Sequence, residues 1–192
     1  MNILKFIATA LVAFTLSAAS HAALLVGTQG SSANVATDYS APGLVSFNLD
    51  VAQKSGLRLR YEIEEADLAG PLSLSAMILN MSGMPFSQFM FAVDGITFMD
   101  AVGSISPAFG RVGSTSVTER HVGISFADFE PAEFNFGNPL GEPGLNDWLL
   151  DTSGLRAGDI FTVTAFVPEP SSVALMLPLL AGLVAARRRR TK

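Results

Sequence analysis

The chain has 192 residues, of which 49% are hydrophobic and 15% charged, with mean hydropathy +0.40, formal charge −5 and no cysteine. That length suits one domain with short additions, and the composition excludes disorder driven by high charge and low hydrophobicity. The missing cysteines exclude a disulfide scaffold, a cysteine-based zinc or iron–sulfur site, and thiol catalysis.

Charge is distributed unevenly. Between Ala23 and Val167 six Lys and Arg face sixteen Asp and Glu, a net −10. Most of the other cations crowd the last six residues. An acidic middle opposes nucleic-acid binding, which needs clustered cations to displace counterions from phosphates.

The first segment reads Met1-Asn2-Ile3-Leu4-Lys5, then an apolar run from Phe6 to Leu16, then small residues to Ala23. This is the pattern of a secretory signal peptide over residues 1–22. The run is too short to span a bilayer. Ser20-His21-Ala22 sets small residues at −3 and −1, so cleavage is expected between Ala22 and Ala23.

The stretch 23–166 alternates with period two. Val45, Phe47, Leu49 and Val51 share one face, and Leu57, Leu59, Tyr61 and Ile63 repeat the pattern against Arg58, Arg60, Glu62 and Glu64. Both segments are read as half-buried strands. Further strands are expected over Leu72–Met81, Thr115–Phe126 and Ile160–Val167. Asp94-Gly95 is read as a two-residue hairpin turn joining Phe89–Val93 to Ile96–Met99, because Asp-Gly supplies positive φ. Glycine and proline punctuation between short strands predicts an all-β ectodomain over 23–166, a single jelly-roll-like β-sandwich.

Candidate chemistry in this body is sparse. His121 is the one histidine left once the signal is removed, and no Gly-x-Ser-x-Gly accompanies it. Glu62, Glu64, Glu65 and Asp67 could suggest a carboxylate glycosidase or lyase. Ion pairing of Glu62 and Glu64 with Arg58 and Arg60 on a solvated sheet face is the simpler reading. Asp147, Asp151 and Asp159 precede the final strand in loop-rich sequence and are weak calcium candidates; no other metal or cofactor is expected. Phe129, Phe134 and Phe136 are read as plugging one end of the sandwich. Fourteen phenylalanines against the single Trp148 favour core filling over a sugar platform, which leaves polysaccharide binding as a second reading.

The last segment, 167–190, begins Val167-Pro168-Glu169-Pro170-Ser171-Ser172. Prolines flanking a glutamate impose extended, accessible backbone. Fourteen uncharged residues, Val173 to Ala186, follow and then Arg187, Arg188, Arg189 and Arg190. As a helix the apolar stretch reaches about 21 Å, short of a hydrocarbon core of roughly 30 Å, so a spanning helix is marginal by length alone. The arginine block would stay cytoplasmic and leave the ectodomain facing outward.

The order Pro-Glu-Pro, short apolar helix, arginine cluster resembles the PEP-CTERM sorting signal of Gram-negative bacteria. The resemblance covers only Val167 to Arg190 and concerns address, not activity. It implies processing by exosortase, a membrane transpeptidase-like cysteine protease. Pro168, Glu169 and Pro170 would be the recognition motif, and Arg187 to Arg190 the membrane stop. The expectation is a non-enzymatic exported protein that meets the export machinery and exosortase. It would pass through an inner-membrane intermediate, held by its C-terminal transmembrane helix, to the cell surface or a biofilm matrix.

Overall fold

The computed structural model describes residues 23–85, 87–127 and 132–168. Ala22, Glu169, Pro170, the apolar C-terminal stretch and Arg187 to Arg190 lie outside them. Among the described residues no helix is long and apolar enough to cross a membrane.

Among the described residues thirteen strands form two sheets, so the body is all-β and sandwich-like. One sheet runs β1 (Leu24–Gly30), β4 (Leu57–Glu62), β13 (Ile160–Phe166), β6 (Gln88–Asp94), β10 (His121–Phe126), β9 (Val112–Val117), antiparallel throughout. We call it the front sheet. The back sheet runs β2 (Val35–Asp38), β3 (Leu44–Val51), β5 (Leu72–Asn80), β11 (Glu133–Phe136), β8 (Ile105–Pro107). Beside β11, β12 (Trp148–Asp151) also pairs with β5 and carries β7 (Thr97–Phe98) on its far side. β3 and β5 are parallel, because the chain leaves the back sheet through β4 before it returns.

The alternation read in β4 is the burial pattern observed, and that of β3 holds except that Ser46 of its polar face is buried too. Val45, Phe47, Leu49 and Val51 are buried, as are Leu57, Leu59 and Tyr61, while Arg58 and Arg60 are exposed. An aromatic stack fills the space between the sheets. Phe91 stacks on Phe136 at 3.9 Å, and Phe136 on Trp148 at 4.8 Å with rings within 5° of parallel. Phe98 meets Trp148 edge-on at 6.0 Å, and Phe134 packs against Phe89 and Phe126 at 5.2 Å each. Phe134 and Phe136 are therefore central core residues rather than an end plug, since the alternation in β11 turns both toward the front sheet. Phe129 lies outside the described residues.

Two strand assignments change. Thr115–Phe126 is not one strand but the hairpin β9–β10. Its turn contains no glycine or proline; Thr118 Oγ1 accepts the N–H of Arg120 (3.4 Å) and of His121 (3.0 Å) and closes it. Asp94-Gly95 does turn, with Gly95 at φ +80°, but β6 and β7 do not pair. Both edges of β6 are taken, by β13 and β10, so the chain crosses to the back sheet and β7 pairs with β12. A Cβ at Gly95 would meet Ile160 O at 2.8 Å, so this corner needs glycine for space as well as for φ.

Candidate functional site

The outer surface of the front sheet is set by register. Residues 58, 60 and 62 of β4 point away from a core that takes 57, 59 and 61. Arg58 lies beside Thr164 of β13, Thr164 beside Ala92 of β6, and Ala92 beside His121 of β10. One step along, Arg60 lies beside Thr162, and Thr162 beside Asp94. The turn before β10 adds Arg120, whose Nη1 is 3.3 Å from Asp94 Oδ1. A groove of about 320 Å³ results, lined by Arg58, Asp94, Arg120, His121, Thr162 and Thr164.

The ion pairs expected between Arg58 or Arg60 and Glu62 or Glu64 do not form. Neighbours two apart on one strand share a face but stand far along it, and Glu64 has already left β4 to start a 3-10 turn over Glu65–Ala69. Among the described residues Arg58 and Arg60 have no carboxylate within ion-pair distance. Asp67 is buried, and its Oδ1 accepts the Gly43 N–H (2.9 Å) while its Oδ2 accepts the Glu64 N–H (3.0 Å). It ties the turn to the start of β3 and leaves no free oxygen aimed at a substrate.

Each calcium candidate closes a local turn. Asp147 Oδ1 accepts the Asn138 N–H at 2.7 Å, Asp151 Oδ1 that of Ser153 at 2.9 Å, and Asp159 Oδ2 that of Arg156 at 2.8 Å. The Ser153 backbone bond holds the Asp151 carboxyl below its ordinary range, helped by the Ser153 side chain. Among the described residues no three acidic or histidine side chains gather as a metal site.

The outer surface of the back sheet carries a second, shallow groove of about 300 Å³, lined by Tyr39, Leu44, Ser46, Asn48, Met77 and the loop residues Pro139 and Leu140. Tyr39 and Leu140 are both 58% exposed there. Trp148, by contrast, is fully buried and presents no ring to solvent. Of the residues read from sequence as a sorting motif, Pro168 is described and follows directly on Val167, which is in the core; Ala23, at the other end, is also buried.

Comparison with protein-family models, with curated proteins and with solved structures finds no match. The front groove was not read from sequence. Arg58 and Arg60 were legible as one solvated face, but Thr162, Thr164, Asp94 and His121 reach them only through long-range pairing.

Proposed function

We propose that the chain is an exported, non-enzymatic surface or matrix protein, addressed by its C-terminal Pro-Glu-Pro, apolar and arginine segment to exosortase. The observation that carries this reading is the seam between body and tag. β13 lies between β4 and β6 inside the front sheet, Val167 is the last core residue, and Pro168 follows with no intervening linker. The two prolines of the tripeptide favour the extended backbone that a processing enzyme would need to reach. The signal peptide begins export, the arginines stop it, and the recognised hinge is released. Within its two-layer build we describe the body as jelly-roll-like, with the parallel β3–β5 pair a departure from an antiparallel order.

The test is to change the motif and follow the product. In an exosortase-bearing host, Glu169→Ala is expected to leave a larger, membrane-retained species, and deletion of Arg187 to Lys192 is expected to change the mature size or the release from membranes. Unchanged size and release in both variants would reject sorting through this tag.

A further inference from the structure

We propose that the outer face of the front sheet binds an acidic saccharide, a chain of uronate sugars whose carboxylates are taken by Arg58 and Arg60. The inference concerns the ectodomain alone and does not depend on how the protein is sorted.

Charge placement is the first argument. The body holds only six Lys and Arg against sixteen acids, yet three of the six meet on this one face, with His121 beside them. Arg58 and Arg60 are exposed and spend no charge on a carboxylate among the described residues. Only Glu62 and Asp94 stand against them on the strands of this face, and Asp94 is engaged by Arg120. A guanidinium offers a planar fork of donors that matches a carboxylate in two parallel hydrogen bonds.

The rest of the surface selects the class of anion. Thr162 and Thr164 line the groove, and the same face continues through Ser125, Ser114 and Ser116. Hydroxyls that both donate and accept suit a ligand rich in hydroxyls. Gly123, between Met90 and Ser116, adds no side chain to this face, where a Cβ would come within 2.6 Å of Ser116 Oγ. Cations interleaved with hydroxyls along one sheet face fit an extended polymer of hydroxylated, carboxylated rings.

The full chain, purified in a polyoxyethylene detergent that carries no sugar, would be titrated with polygalacturonate, methyl-esterified polygalacturonate, dextran and polyglutamate. Polygalacturonate is expected to bind at least about ten-fold more tightly than its methyl ester or dextran, and to weaken as salt rises. It should also bind more tightly than polyglutamate, which has the carboxylates without the hydroxyls. Arg58→Gln with Arg60→Gln is expected to weaken binding about ten-fold with Tm unchanged, since both side chains are exposed. Equal binding of the ester, equal binding of polyglutamate, no binding of polygalacturonate, or full binding by the double variant would each overturn the proposal. The wild-type comparisons decide it even if the variant misfolds.

Discussion

The Tyr61 hydroxyl, carried inward by β4 of the front sheet, donates to Asp38 Oδ1 on β2 of the back sheet across 3.5 Å. The ring itself is fully buried and stacks on Phe161 at 5.5 Å. Burial, reinforced by the Asp38 charge, pushes this phenol far above its ordinary value of 10.0. The folded protein therefore holds the Tyr61 proton more tightly than the unfolded chain does. Its contribution to stability is complete below pH 10 and declines as pH rises above it. Tyr61→Phe should change stability at pH 7 by no more than about 1 kcal/mol. Above pH 10 the wild type should lose Tm faster than the variant, which scanning both from pH 7 to 11 would reveal. Parallel curves would contradict the assignment.

The aromatic stack sets a second expectation. Truncating Phe136, which lies between Phe91 and Trp148, should cost about 3–5 kcal/mol in a denaturant titration. Trp148 emission should be blue-shifted and shielded from soluble quenchers, because this only tryptophan is fully buried. Exposed-type emission from the folded protein would refute the packing.

Gly103 offers a sharper probe of the same region. A Cβ at that position would lie 2.6 Å from the Trp148 ring, which also packs against Phe136 and Phe98. Gly103→Ala should therefore destabilise by about 1–3 kcal/mol, as overpacked cores do. At Gly154, where a Cβ meets nothing within 4 Å, the same change should be near neutral. Equal Tm values for the two variants would contradict the contact.

The loop from Gly137 to Asp147 should be held by protein groups rather than by an ion. Asp147 accepts the Asn138 N–H, and the Asn138 side chain donates to the carbonyls of Glu142 and Leu145. Asp147→Ala should cost about 1–3 kcal/mol by leaving that N–H unmet. Adding a calcium chelator should leave the wild-type Tm where it was. A fall in Tm on chelation would restore calcium to the account.

The sheet-forming heart of the molecule was legible because β3 and β4 alternate strictly and β5 is apolar along most of its length. The weaker strands were not. β1, β2 and β8 are short or glycine- and threonine-rich, so their strand state comes from pairing rather than from side-chain pattern. In β11 the alternation of Glu133, Phe134, Asn135 and Phe136 was present, but four residues are too few to separate a strand from an aromatic loop. The Asp94-Gly95 turn shows the limit most plainly. Its local geometry followed from sequence, whereas the choice of partners depended on β13 and β10, far along the chain. The front groove was hidden for the same reason.

The proposed account rests on two processing events that bracket one folded body, and the intact mass of the protein recovered from an exosortase-bearing host measures both at once. The account predicts a species that begins at Ala23 and lacks the arginine block Arg187 to Arg190. A recovered, exported protein whose mass still includes residues 187–192 would contradict it.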